Sequence, residues 1–354
     1  MLKSKGDPSI PPVAAERASL TYVSDDMPGI RRHRRGRGFF YILPNGERLT
    51  DPNEIRRINS LAIPPAYTDV WISPDPDGHL QATGRDDRGR KQYRYHPRWN
   101  AIRDEAKFDR LADFAGALPA LREQMETDLR KHGLPKERVV AAVIWLLENT
   151  MIRVGNHTYA RDNKSFGLTT LRNRHVAVEG SRLRFHFKGK SGKEWNLQLV
   201  DRRIVRIVRS IQELPGQHLF QYLDDGGERR QIRSDDINAY IQDTMGPDFS
   251  SKSIRTWSGT LAGLSILAGT ELPEGKAATQ RVLNKAIDRV AALLGNTRAV
   301  CRQCYIHPHV IESWLAGTLP DELATARHAF RKIKPGLDEA EMVALKWLEE
   351  QRTD

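Results

Sequence analysis

The chain has little cysteine, no long apolar stretch and no internal repeat, and each absence removes a class of protein. Two of its 354 residues are cysteines, Cys301 and Cys304. A disulfide-stapled scaffold is excluded and a reducing compartment is expected. No run of about 18 apolar residues occurs, so no membrane-spanning helix is expected. The amino-terminal MLKSKGDPSIPP has no apolar signal core, which argues against export and for a cytoplasmic protein. No GxxxxGK[ST] stretch is present, so a phosphate-binding nucleotide loop is not expected.

What is present is positive charge. Lysine and arginine number 56 against 45 aspartates and glutamates, a net charge of +11. A basic surface that tracks phosphates gains from counterion release, so nucleic acid is the first candidate partner. An anionic membrane is the weaker one, because no basic amphipathic helix with an aromatic face stands out. Hydrophobic residues at 39% permit a core. The length allows two or three domains.

Residues 1–20 mix proline, serine, alanine and charge without periodicity and are expected to form a disordered tail. Order is expected to begin with a short strand over residues 20–23. Residues 28–49 hold six arginines, most of them before and within an RGRG turn, followed by a strand over 39–42. Asn45-Gly46 signals a hairpin. A short helix is expected over 53–59, an extended stretch through 70–72, and two strands over 80–83 and 91–95. In KQYRYH, Tyr93 and Tyr95 share one face of the strand and Gln92 and Arg94 the other. Glutamine suits adenine edges and arginine guanine edges. The pattern alone also fits an ordinary edge strand with a wet face.

Near residue 100 the period changes from two to helical, which marks a domain boundary. One long helix or two are expected over 102–130, with Phe108, Leu111, Phe114 and Leu118 facing a core. Residues 136–151 read as a buried helix ended by Gly155-Asn156, with Arg153 at its terminus. An arginine there serves the helix dipole, an ion pair, or a phosphate. Residues 175–200 alternate as a three-stranded antiparallel meander. Lys188, Lys190 and Lys193 crowd its KGKSGK tip, either as solubilising residues or as a proton donor delivered to a phosphate. Helices follow over 202–212, 234–245 with Ser234 as N-cap, and 250–267, with an irregular stretch between at 218–232. Lys252 and Arg255 lie three apart near the start of the last helix, where cations oppose the macrodipole, a hint of function. A helix over 276–294 ends at Gly295. Asn296 follows, then Tyr305 on a short helix. Two or three amphipathic helices close the chain over 309–352.

Arg153, Lys190, Arg255, Asn296 and Tyr305 form a coherent set. A tyrosine oxygen can attack a phosphodiester once neighbouring charge helps it. Two guanidinium groups and an amide can stabilise the oxyanion. A lysine can protonate the leaving oxygen. No metal or cofactor is required by this chemistry.

Six stretches carry a resemblance: LAIPPAYTDVWI, TGRDDRGRKQYRYH, IRVGNHTYARDNKSFGLTTL, FKGKSGKEW, KSIRTW and GNTRAVCRQCY. In this order they resemble the type IB DNA topoisomerases, in the compact poxvirus-like form carried by many bacteria, and they span residues 61–305. The resemblance implies an α+β chain. A β-rich cap domain would occupy 21–100. A mainly helical catalytic domain with a small β-meander would occupy 101–354, with the catalytic fold shared with tyrosine recombinases. It implies that a monomer clamps double-stranded DNA in the nucleoid and relaxes supercoils of both signs. The route would be a 3′-phosphotyrosyl intermediate, without ATP or metal.

Residue by residue, the resemblance makes Tyr305 the nucleophile, Arg153 and Arg255 the catalytic arginines and Lys190 the general acid. Lys252 and Tyr159 would contact phosphate, and Arg90, Gln92, Tyr93, Arg94 and Tyr95 would face DNA. Many relatives carry histidine where this chain has Asn296. Asparagine keeps a donor but takes up no proton, so oxyanion hydrogen bonding is the role left to it.

Two rivals differ in kind. Tyrosine recombinases usually carry His-x-x-Arg where this chain has Lys252-Ser253-Ile254-Arg255. A non-enzymatic DNA-binding protein would need only the basic amino-terminal region. A zinc site on Cys301, Cys304, His307 and His309 is disfavoured, because the four lie too close for the usual paired-knuckle spacing.

Overall fold

The computed structural model describes residues 15–16, 18–36, 38–87, 89–99 and 107–352. The chain divides into two compact units, Met1–Asp109 and Arg110–Asp354. Both helix and antiparallel sheet are present.

The first unit is built on strands β1 (Ile30–Arg35), β2 (Gly38–Ile42), β3 (Thr68–Ile72), β4 (Leu80–Arg85) and β5 (Lys91–Tyr95). They form one antiparallel sheet in the order β2-β1-β3-β4-β5. The arginine-rich run is therefore itself a strand, β1, paired along its length with β2. One sheet face closes over Ile30, Tyr41, Val70, Ile72 and Ala82, joined by Ile58 of helix α1 (Pro52–Ser60). Asp51 caps α1 by accepting the Asn53 N–H, with Pro52 at the first helical position. Arg32 is not free for a partner. Its guanidinium donates to the carbonyls of Ile63, Pro64 and Tyr67 at 3.2, 3.0 and 2.6 Å.

Two expectations change in this unit. Most of the anticipated tail, residues 1–14 and 17, lies outside the described residues. Ala15, Ala18 and Leu20, however, are buried with Trp99, so order begins before residue 20. The short strand at 20–23 is a single bridge, Thr21 to Gly78. His79 takes the place of a ladder, its N–H donating to Thr21 O and its Nδ1 accepting the Val23 N–H.

The second unit contains helices α2 (Leu111–Leu129), α3 (Lys136–Thr150) and α4 (His157–Asn163). The meander β6 (Val176–Glu179), β7 (Arg182–Lys188) and β8 (Glu194–Val200) pairs in sequence order. Then come α5 (Arg202–Gln212), a hairpin of β9 (Gln221–Leu223) and β10 (Arg229–Gln231), and α6 (Ser234–Met245). The remainder is α7 (Ser251–Ala268), α8 (Lys276–Leu294), α9 (Arg298–Cys304), α10 (Pro308–Ala316), α11 (Leu319–His328) and α12 (Glu339–Glu350).

Of the one long helix or two expected over 102–130, the described part breaks at Arg110, and residues 101–106 lie outside the described ones. Three readings are corrected here. The stretch expected to be irregular holds the β9–β10 hairpin, because Asp224 accepts the N–H groups of Gly226 and Glu228 and closes a tight turn. Helix α6 is capped at Arg233, one residue before Ser234, because Asp236 accepts the Arg233 N–H. Helix α3 stops at Thr150, well before Gly155. Met151 turns left-handed at φ 58°, and the Thr150 hydroxyl accepts the Ile152 N–H.

One buried charge network joins four helices of this unit. Arg122 on α2 donates to Glu148 on α3 and to both oxygens of Glu341 on α12. Glu341 also accepts the indole N–H of Trp257 on α7 at 3.3 Å. Burial pushes the Glu148 carboxyl up. Burial would raise Glu341 too, but Arg122 and the Asp338 N–H outweigh it and hold that carboxyl low. Removing the guanidinium leaves two desolvated carboxylates facing each other. Arg122→Ala should therefore lower unfolding free energy by about 3–5 kcal/mol in urea titrations. Arg298→Ala, which breaks a solvent-screened surface pair with Asp288, should leave the urea midpoint essentially unchanged.

Candidate active site

Helix ends of the second unit build the site. Met151, left-handed at the end of α3, and Leu294 and Gly295, at the end of α8, present carbonyls that no helical N–H takes up. Arg255 on α7 donates to Met151 O and, at 2.8 Å, to Leu294 O. Arg153 donates to Gly295 O at 3.2 Å and to the Asn296 side-chain oxygen. Gly295 adopts φ 59°, which turns the chain so that Asn296 follows directly beside its own carbonyl.

Tyr305 closes the group. It ends α9, and the Arg255 guanidinium lies over its ring at 5.2 Å from the centroid. Helix α7 supplies both contacts. One turn beyond Arg255, Gly259 leaves the room that Tyr305 needs, since a Cβ there would lie 2.6 Å from Tyr305 O and 2.9 Å from its Cβ. Thr260 then donates to Tyr305 O at 3.3 Å and accepts the His307 N–H at 3.2 Å.

Arg255 is only 3% exposed. Burial pulls its pKa down, opposed by the adjacent Tyr305 oxygen. Burial also lowers Arg153, and repulsion from Arg255 adds to it. Among the described residues neither guanidinium has a carboxylate partner. Two donors in the group, Arg255 Nε and Asn296 Nδ2, are buried without an acceptor among the described residues. The orientation of Asn296 follows from chemistry: a guanidinium only donates, so the amide oxygen faces Arg153 and the amide nitrogen points away. The arrangement can hold an oxyanion beside a tyrosine.

Arg153 therefore sits beyond its helix, in an extended loop, and does not serve the dipole of α3. Its backbone is clamped, with Arg153 O accepting the Leu168 N–H at 2.8 Å and Val154 O the Thr169 N–H at 2.7 Å. The clamp needs two glycines in contact. A Cβ on Gly167 would lie 2.4 Å from Arg153 O and 2.6 Å from Gly155 Cα.

Four of the five expected catalytic residues thus come together: Arg153, Arg255, Asn296 and Tyr305. Lys190 stands at the exposed β7–β8 tip; its carbonyl accepts the Lys193 N–H, and its side chain has no hydrogen-bond or ion-pair partner among the described residues. Lys252 is exposed in the first turn of α7. The Tyr159 side chain lies outside what the structure describes. Cys301 is fully buried and burial pushes its thiol up to about 11, so it packs as a neutral group.

In the first unit β5 is an edge strand. Tyr93 is exposed and stacks on Tyr95, ring centroids 5.9 Å apart. Buried Asp86 fixes both Arg90 Nε and Gln92 Nε2, at 2.8 and 2.9 Å. Arg94 donates to Ala62 O at 3.2 Å. Sequence reasoning read Gly155 only as a helix stop and missed Gly167, Gly259 and Thr260. Gly259 in mid-helix was the one visible signal, since glycine there costs about 1 kcal/mol without a packing reason.

A basic sheet and a tyrosine beside one buried and one part-buried guanidinium group fit a protein that handles a polyanion. Comparison with known proteins agrees. Residues 96–318 match the eukaryotic DNA topoisomerase I catalytic core, and residues 38–86 the amino-terminal domain of bacterial DNA topoisomerase IB. A DNA topoisomerase 1B of Acanthamoeba polyphaga mimivirus is 34% identical over 81% of this chain and 87% of its own length. The DNA topoisomerase 1B of vaccinia virus (strain Copenhagen) is 21% identical over 78% of this chain and 89% of its own. The DNA topoisomerase 1 of Mycosarcoma maydis is 22% identical over 53% of this chain and 20% of its own. The chain belongs to the type IB DNA topoisomerase family.

Gly167 at φ −144° is ordinary extended backbone, so only space forbids a side chain there. Gly167→Ala should displace Arg153, slow plasmid relaxation by about 10²-fold and destabilise by about 1–3 kcal/mol. Gly116→Ala, where a Cβ meets nothing within 4 Å, should leave relaxation unchanged and raise the melting temperature slightly.

Proposed function

We propose that this protein relaxes positive and negative supercoils in double-stranded DNA through a transient 3′-phosphotyrosyl bond. Tyr305 Oη attacks the scissile phosphorus and gives up its proton to solvent. The bond to the 5′ oxygen breaks, and Lys190 gives that oxygen its proton. Arg153, Arg255 and the Asn296 amide hold the non-bridging oxygens as charge builds on them. After strand rotation the 5′ hydroxyl attacks phosphorus, returns its proton to Lys190 and releases Tyr305. The observation that carries this reading is the pair of buried donors without acceptors, Arg255 Nε and Asn296 Nδ2, beside a tyrosine.

The helical unit takes, in this reading, the catalytic fold shared with tyrosine recombinases. The sheet unit is a cap that closes over the duplex, so that a monomer clamps DNA. The exposed Tyr93 and the residues fixed around Asp86, Arg90 and Gln92, face DNA with Arg94 and Tyr95. Lys252 and Tyr159 add phosphate contacts.

Plasmid relaxation should proceed in EDTA without ATP, because the positive charge at the phosphate is supplied by guanidinium groups. Tyr305→Phe should abolish the covalent adduct on denaturing gels and keep duplex binding. An adduct surviving in that variant would assign the nucleophile elsewhere.

Lys190→Ala should slow cleavage by about 10²–10⁴-fold, the usual worth of a general acid. A duplex with sulfur in place of the 5′ bridging oxygen needs no proton on its leaving group. The alanine variant should cleave that duplex at near the wild-type rate, and Lys193→Ala should show no such pattern.

A further inference from the structure

We propose that Trp195 is a positioning residue for the cleavage step, a rigid spacer that sets where the Lys190 hairpin stands relative to the loop carrying Asn296. The inference rests on the reading of Lys190 as the proton donor.

The hairpin tip is a tight backbone turn. Gly189 N–H donates to Lys193 O at 2.8 Å and Gly192 N–H to Gly189 O at 3.1 Å. Ser191 and Gly192 are both left-handed, at φ 62° and 74°. This fixes the tip's own shape but not its place over the site.

Trp195 on β8 supplies the connection. Its indole spans two glycines from different parts of the chain. A Cβ on Gly189, the residue before Lys190, would lie 2.7 Å from its Nε1. A Cβ on Gly295, the residue before Asn296, would lie 2.5 Å from its Cζ2. The five-membered ring thus lies against the peptide that leads into the proton donor. The six-membered ring lies against the peptide whose carbonyl receives Arg153. No side chain fits at either end without moving the ring.

The indole is also held in direction. It stacks on its cross-strand partner Phe187, centroids 6.1 Å apart and planes 8° from parallel. Phe187 is the buried core member of that pair at 4% exposure, whereas Trp195 is part-buried. A tryptophan placed only to fill a core would sit the other way round. Two rotatable bonds and a flat bicyclic ring make it a stiff spacer between two backbones. A benzyl side chain is one ring shorter and spans one glycine but not both.

The test uses the full-length protein and duplexes carrying oxygen or sulfur at the 5′ bridging position of a mapped cleavage site. Trp195→Ala should slow cleavage of the oxygen duplex by about 10²-fold, the scale of a misplacement near 1 Å. It should cleave the sulfur duplex within a few-fold of wild type and bind uncleaved duplex normally. Trp195→Phe should fall between. Gly189→Ala displaces the ring from the hairpin side at an ordinary φ of −93°. It should give the same pattern with Trp195 and Lys190 both present, and it stands in if the alanine variant of Trp195 does not fold.

Equal slowing on both duplexes, or no slowing on either, overturns the proposal, because Trp195 then acts on the oxyanion donors or on nothing in the reaction. Lys190→Ala run alongside separates the failures. Sulfur rescue of that variant without rescue of Trp195→Ala and Gly189→Ala sinks the spacer alone. Absence of rescue in Lys190→Ala sinks the proton-donor assignment and the spacer with it.

Discussion

Two positive charges, Arg255 buried and Arg153 part-buried, lie close together and are solvated by carbonyl oxygens. Arg153 and Arg255 take their acceptors from the ends of α3 and α8, at Met151, Leu294 and Gly295, and from the Asn296 amide oxygen. A helix end carries partial negative charge and unused carbonyls, and each hydrogen bond from a charged donor is worth about 1.5–3 kcal/mol. That is enough to hold a guanidinium in place and too little to neutralise it. A carboxylate in the same position would cancel the charge and fill the fork. The charge therefore stays unbalanced within the group, and two of its donors, Arg255 Nε and Asn296 Nδ2, have no acceptor among the described residues.

The constraint reaches outward through close backbone contacts. Arg153 can present its guanidinium only if its loop stays extended, and the Gly155–Gly167 contact keeps it so. Arg255 and Tyr305 meet because α7 offers an arginine, a glycine and a hydroxyl within two turns, at positions 255, 259 and 260. Helix α7 is itself tied to α2, α3 and α12 through Trp257, Glu341, Arg122 and Glu148. The charge network and the site thus share one helix, so the rigidity of the unit becomes precision at the tyrosine.

Much of the fold is legible in the sequence. Alternation and the KGKSGK turn located the meander β6–β8, and the period of apolar residues located α3, α5 and α8. Local signals failed where a non-local partner decided the outcome. Met151 ends α3, although a glycine four residues on looked the better stop, because its carbonyl is needed by Arg255, more than a hundred residues away in sequence. The strand expected at residues 20–23 gave way to His79. The six arginines of residues 28–49 look alike in the sequence, yet Arg32 is consumed by the carbonyls of its own unit.

What the sequence determined by itself was chemistry: which groups can attack, donate and protonate, and that residue 296 can donate but not titrate. Those are properties of side chains and survive any arrangement. What only the tertiary structure decided was which of them meet, and what holds them. Arg153, Arg255, Asn296 and Tyr305 converge although about 150 residues separate the first from the last, while Lys190 is carried on a hairpin whose Gly189 packs on the same indole as Gly295. Glycine contacts at 155, 167, 189, 259 and 295 set those distances. A glycine in a sequence shows only that a side chain is missing; the backbone or ring that occupies its place is brought there by the fold.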